Sequence, residues 1–110
     1  LGAQFGAICA GPLLLGDAGL LRGRQFTHGY GTTHADKLAP FWQDAHYRDA
    51  PIVEDGPVLT AQPQAHVGFG VRFAERLGLL DADSASRARE FYLGQRRFRG
   101  TDPLTKGPFP

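Results

Sequence analysis

Gly6-Ala7-Ile8-Cys9-Ala10-Gly11-Pro12 is the stretch whose reading decides the fold. An apolar run from Ala3 to Ile8, broken by Gln4, leads into it, and Leu13-Leu14-Leu15 leads out. A strand therefore stops at Cys9 and a helix starts almost at once, the arrangement of a nucleophile elbow, better known in its Gly-x-Ser-x-Gly form. Small residues at Ala7 and Gly11 let the backbone turn back sharply, and Ala10 adds no bulk. The thiol then stands above the sheet edge beside the free amides of the new helix, a setting that favours a thiolate. The competing reading is a buried structural cysteine, since free cysteine is among the most buried residue types.

Outward from the elbow, Ala3 to Ile8 reads as a short strand apolar on both faces, as in a parallel sheet. Ala10 to Ala18 reads as a helix stopped by Gly19. Leu20-Leu21 packs back, and Arg22-Gly23-Arg24 turns into a strand from Gln25 to Thr27 that ends at His28. Strand, helix, strand makes one βαβ unit with a right-handed crossover. His28 is thus expected at the carboxyl end of the strand next to the one ending at Cys9, where ligands gather in open α/β sheets. The plainer alternative is a loop-capping histidine.

Thr33 to Leu38 reads as a short helix capped by Thr33, ended by Pro40. Phe41, Trp42 and Tyr47 form an aromatic cluster that covers the sheet or a subunit contact. His34, Asp36 and His46 lack the helical spacing of a zinc motif and read as solvated loop residues. Asp55-Gly56 between Ile52–Glu54 and Pro57–Thr60 signals a hairpin. Leu59-Thr60-Ala61-Gln62 then feeds a helix from about Pro63 to Leu77, stopped by Gly78, with Val67, Gly70, Val71, Ala74 and Leu77 on its apolar face. Its amino end points at the ligand rim, so Gln62 and His66 are candidate pocket residues, although a partly buried helix position is the favoured reading of His66. Asp81 to Leu93 reads as a last helix, capped by Asp83 or Ser84, with Arg87 and Arg89 facing water and Phe91 and Tyr92 docking. Residues 95–110 read as a mobile tail whose arginines are solvated.

At 110 residues, the chain suits one small domain. A formal charge of +1 steers it toward neither nucleic acid nor membrane, and no run is long enough to span a bilayer. A single cysteine excludes an internal disulfide and suits a reducing, cytoplasmic compartment. The chain holds no Met, so Leu1 is expected to be a processed or internal start.

Several blocks, in order, resemble the carboxyl-terminal part of the ThiJ/PfpI family, which is related to the class I glutamine amidotransferases. They are Ala7-Ile8-Cys9-Ala10-Gly11-Pro12, Ala18-Gly19-Leu20-Leu21-Arg22-Gly23-Arg24, Phe26-Thr27-His28, Val53-Glu54-Asp55-Gly56 and Leu59-Thr60-Ala61-Gln62 with the helix after it. The resemblance implies a flavodoxin-like three-layer α/β/α sandwich with a mostly parallel sheet, of which residues 1–94 form the C-terminal part of a single domain. It matches Cys9 to the family's nucleophile, Ala10 and Gly11 to its backbone anion pocket, and His28 to the histidine near the cysteine. The PfpI-type proteases have His directly after the cysteine. Ala10 stands there instead, as in the deglycase and isonitrile-hydratase-like branches. The family's acidic partner of the cysteine lies in an amino-terminal half with no counterpart here, so the strand at Ala3 is expected to lack a neighbour that either more of the same polypeptide, the favoured reading, or another chain supplies.

Three functions remain open at this point. The first is an enzyme in which Cys9 attacks a small electrophilic carbonyl compound, as a hydrolase or lyase needing no metal or organic cofactor and working as a homodimer. The second is an oxidation-sensing stress protein. The third is a non-catalytic binding module.

Overall fold

The computed structural model describes residues 2–94, in two compact units that divide between Phe69 and Gly70. The expected tail, 95–110, lies outside the described residues.

In the first unit, β1 (Phe5–Ile8) runs into α1 (Pro12–Asp17), two residues shorter at its start than the apolar pattern implies because Gly11 takes the N-cap. Next come β2 (Gln25–Phe26), α2 (Ala35–Leu38), a 3-10 turn (Ala39–Trp42) and β3 (His46–Tyr47). His34 rather than Thr33 precedes α2, in the left-handed region at φ 60°, with no side-chain cap. The hairpin of β4 (Ile52–Asp55) and β5 (Val58–Ala61) turns on Gly56-Pro57, one residue later than expected.

The sheet order is β1-β5-β4, with β1 parallel and β4 antiparallel to β5. β5 is buried at every residue, which suits a strand with ladder partners on both sides. This corrects the expected neighbour of β1: its ladder partner is β5, whereas β2 pairs in parallel with β3 in a separate two-stranded sheet. The reason lies in contacts distant along the chain. Amides in and just after β2 that would feed a ladder toward the hairpin bond to side chains instead, Gln25 N–H to Asp55 Oδ2 at 2.7 Å and Thr27 N–H to Thr60 Oγ1 at 2.9 Å. Leu21, Phe26 and Val58 form a core cluster with Phe5, Leu15 and Trp42 packed against it.

A 3-10 turn (Pro63–Ala65) precedes α3 (His66–Arg76), and α4 (Ala82–Tyr92) follows. The cap of α4 is Asp81, whose carboxylate accepts Ser84 N–H at 2.7 Å, and not Asp83 or Ser84. Arg87 and Arg89 do not simply face water. Both are half-buried and paired, Arg87 with Asp83 at 3.2 Å and Arg89 with Glu75 at 3.3 Å. Phe91 meets Tyr92 edge to face, but Tyr92 and Leu77 are largely exposed.

Candidate active site

β1 delivers Cys9 at φ 60°, the left-handed region that a residue with a Cβ enters at a cost of roughly 1–3 kcal/mol. Such strain persists only where the surroundings hold it. Here Cys9 N–H donates to Ala61 O at 2.9 Å, and Gly29 N–H donates to Cys9 O at 2.8 Å. The elbow residue is therefore fastened to β5 on one side and to the loop after β2 on the other. Gly11 closes the turn: a Cβ there would stand 3.1 Å from Ile8 O and 3.3 Å from Ala7 Cβ. The sharp reversal thus needs the small residues read from the sequence.

The two backbone donors assigned to the anion pocket differ. Gly11 N–H is already bonded to Ile8 O at 2.9 Å, so an oxyanion would have to share it in a bifurcated bond. Ala10 N–H has no partner among the described residues and remains open to an acceptor. No hydrogen bond reaches Cys9 Sγ among the described residues.

His28 is buried at 6 % exposure, two residues after the end of β2. The aromatic cluster encloses it. Its ring stacks on Trp42 at 5.1 Å and 13°, meets Tyr47 at 4.5 Å, and has Tyr30 and Phe26 at 5.5 and 5.8 Å. Trp42 and Tyr47 therefore cover an imidazole, and Trp42 also packs on the core, whereas Phe41 has no ring contact with His28 among the described residues. Tyr30 N–H donates to His28 Nδ1 at 3.1 Å, which leaves the proton of the neutral ring on Nε2. Burial lowers the imidazole pKa below its usual 6.5. His28 is consequently a neutral Nε2–H donor, and a base only if the Tyr30 bond is given up.

Gly29 joins the two residues. A Cβ there would lie 3.0 Å from Cys9 Sγ and 3.0 Å from Pro63 Cδ. Its bare α-carbon lets the loop after β2 pack directly on the elbow, and its other side borders an open depression of about 210 Å³ lined by His28, Tyr47, Asp49, Gln62 and Pro63 among others, with Cys9 outside that lining. Gln62 is in the wall, as the sequence suggested. His66 is not: it is exposed, with Nδ1 3.2 Å from Pro63 O in its own turn. Sequence reasoning missed Gly29, Tyr30 and Asp49, whose only signal was their position just after β2 and β3. His34, Asp36 and His46 are exposed, and no metal-binding group of three acidic, His or Cys side chains occurs among the described residues.

The family model described as "DJ-1/PfpI family" matches residues 1–76. The chain belongs to the DJ-1/PfpI family. A DJ-1 superfamily protein from Agrobacterium tumefaciens is 32% identical with a TM-score of 0.66, over 84% of this chain and 50% of that one. Drosophila melanogaster DJ-1beta is 23% identical (TM-score 0.67, 84% of this chain and 47% of that one). A Schizosaccharomyces pombe DJ-1 T114P mutant is 24% identical (TM-score 0.63, 81% and 44%). The chain thus spans half or less of these DJ-1 structures, and the elements described above are part of the flavodoxin-like DJ-1/PfpI fold. A search of curated proteins finds no match. No helix among the described residues is long and apolar enough to cross a membrane.

Proposed function

We propose that Cys9 is the nucleophile of a DJ-1/PfpI enzyme acting on a small electrophilic carbonyl compound such as a 2-oxoaldehyde. The observation that carries this reading is the left-handed backbone of Cys9 at the end of β1, a strained conformation of the kind that clusters at active sites. The thiol gives up its proton to solvent, the sulfur adds to the carbonyl carbon, and the carbonyl π pair moves to oxygen. The resulting oxyanion meets the open Ala10 N–H, with His28 Nε2–H as a side-chain donor able to hydrogen-bond it, and takes a proton from solvent to give the hemithioacetal. The homologous chains are about twice as long, so the activity is that of the whole protein carrying this chain, proposed to be a cytoplasmic homodimer.

The test is consumption of methylglyoxal by that protein, beside its Cys9→Ser and His28→Gln variants. The reading requires loss of turnover in Cys9→Ser with folding intact. Equal turnover in that variant overturns it.

A second reading, an oxidation-sensing thiol, is favoured by one observation. His28 Nδ1 is held by Tyr30 N–H, so the imidazole is poorly placed to take the thiol proton. Peroxide titration followed by intact mass discriminates the two. Stoichiometric sulfenic or sulfinic acid at Cys9 without carbonyl turnover selects the sensor.

A further inference from the structure

The loop after β2 reaches back to the elbow with two donors from adjacent residues. Gly29 N–H donates to Cys9 O at 2.8 Å, and the Tyr30 hydroxyl makes a longer contact with Ala10 O at 3.5 Å. Consecutive carbonyls of the elbow are therefore gripped by consecutive residues 20 positions away in the chain. Two peptide planes meet at Ala10. Cys9 C=O and Ala10 N–H lie in the first, Ala10 C=O and Gly11 N–H in the second. Three of these four groups are held: Cys9 O by Gly29, Gly11 N–H by Ile8 O at 2.9 Å, and Ala10 O by Leu13 N–H at 3.1 Å as well as by Tyr30. Ala10 N–H is the one left open among the described residues. Because C=O and N–H point in opposite directions across a trans peptide, the bond to Cys9 O also sets the aim of Ala10 N–H, and it polarises that donor.

We propose that Tyr30 is a positioning residue of the anion pocket, bracing the peptide planes at Ala10 so that Ala10 N–H meets the oxyanion. The proposal rests on the reading of Cys9 as the nucleophile toward a carbonyl. Tyr30 can act as a brace because its other end is anchored. Its own N–H donates to His28 Nδ1 at 3.1 Å, and its ring meets the imidazole edge-on with centroids 5.5 Å apart. One residue thus links the two donors offered to the oxyanion, Ala10 N–H and His28 Nε2–H. The hydroxyl works through the peptide it holds, not by contact with substrate. Losing an oxyanion donor outright costs on the order of a hundred- to a thousandfold in turnover. Removing one brace from a donor that keeps its other holds should cost far less, about two- to tenfold, the span of one neutral hydrogen bond.

The test compares the whole protein with its Tyr30→Phe variant, which keeps the ring and the N–H on His28 and loses the hydroxyl alone. Methylglyoxal turnover should fall about two- to tenfold in kcat with KM unchanged, the signature of an interaction made in the transition state. Alkylation of Cys9 by iodoacetamide, followed by peptide mass, should keep its wild-type rate. That reaction forms a carbon–sulfur bond and expels iodide, so no oxyanion develops and Ala10 N–H is not called on. A merely structural shift of the elbow would slow both reactions. The Ala10 carbonyl carbon should also move upfield in the carbon-13 spectrum of Tyr30→Phe as it loses a donor, a readout that needs no turnover.

Equal kcat in Tyr30→Phe, beside a Cys9→Ser protein that has lost turnover, overturns the proposal and leaves the carbonyl activity standing. Equal slowing of alkylation and turnover also overturns it, because the hydroxyl then only keeps the elbow in shape. If Tyr30→Phe does not fold, Tyr30→Leu, which lacks the hydroxyl too, decides by the same split between turnover and alkylation. A wild type that consumes no methylglyoxal rejects the carbonyl activity, and the Ala10 signal then decides the brace. An unmoved signal overturns it, and an upfield shift supports it.

Discussion

Gly29→Ala is the perturbation that most sharply separates packing at the elbow from mere proximity. The added methyl would meet three atoms at 3.0 Å, namely Cys9 Cα, Cys9 Sγ and Pro63 Cδ. Cys9 Cα belongs to a backbone fastened by the Ala61 and Gly29 hydrogen bonds, and Pro63 Cδ to a proline ring, whereas Sγ ends a side chain that can rotate. The sulfur is therefore the atom best able to move. Overpacking of this kind costs about 1–3 kcal/mol. The alanine also restricts the unfolded chain, which returns about 0.4–1 kcal/mol. The net expectation is a destabilisation of about 1–2 kcal/mol, or roughly a 1 M drop in the urea midpoint at an m-value near the low end of its range. Reactivity should suffer more than stability, because displacing a reacting atom by about 1 Å can cost on the order of a hundredfold in turnover. The assay pairs urea melts with the rate of Cys9 alkylation by iodoacetamide. Gly70→Ala, in α3 with open space around its α-carbon, is the control and should be neutral or stabilising. Unchanged alkylation and unchanged stability in Gly29→Ala would refute the close approach of Gly29 to the thiol.

Further outcomes follow from the same geometry. Thr60→Val removes the acceptor of the buried Thr27 N–H and should cost about 1–3 kcal/mol. Thr27→Val removes a buried hydroxyl oxygen with no hydrogen-bond partner among the described residues, and should be neutral or stabilising in the same urea melts. At the elbow, Cys9→Gly should be more stable than Cys9→Ala by about 1 kcal/mol, since only glycine accepts φ 60° without strain; equal stabilities would argue against the left-handed backbone. The lowered pKa of His28 also fixes a pH dependence. The unfolded imidazole binds its proton before the folded one, so the stability tied to neutral His28 is complete above 6.5. It is lost as the pH falls below 6.5 toward the folded value. His28→Gln should flatten that slope, and an NMR titration should place the folded pKa of His28 below the usual one.

The elbow was legible because its constraint is local: small residues flank one cysteine where an apolar run ends and a helix begins. The hairpin and the helix after Gln62 were legible for the same reason, their turn and capping residues lying within a few positions of each other. Strand order was not. Placing β2 beside β1 follows the usual βαβ rule, but Asp55 and Thr60, some 30 residues away along the chain, capture the β2 amides with their side chains. The site shows the same division. Cys9, Ala10, His28 and Gln62 could be named from their positions at strand ends. The commitment of Gly11 N–H to Ile8 O, the bond from Tyr30 N–H to His28 Nδ1 and the bond from Gln62 Nε2 to Asp49 Oδ1 exist only once the chain is folded. The caps differ by a short slip, since Asp81, Asp83 and Ser84 are all good N-cap residues and only geometry selects Asp81.

Carbon-13 NMR of the whole protein mixed with methylglyoxal labelled at its carbonyl carbons tests the central claim most directly. The account predicts a protein-bound hemithioacetal signal that forms on Cys9, decays as labelled product appears, and is missing in Cys9→Ser. Product formed at the same rate by Cys9→Ser, or no adduct with the wild type, would contradict it.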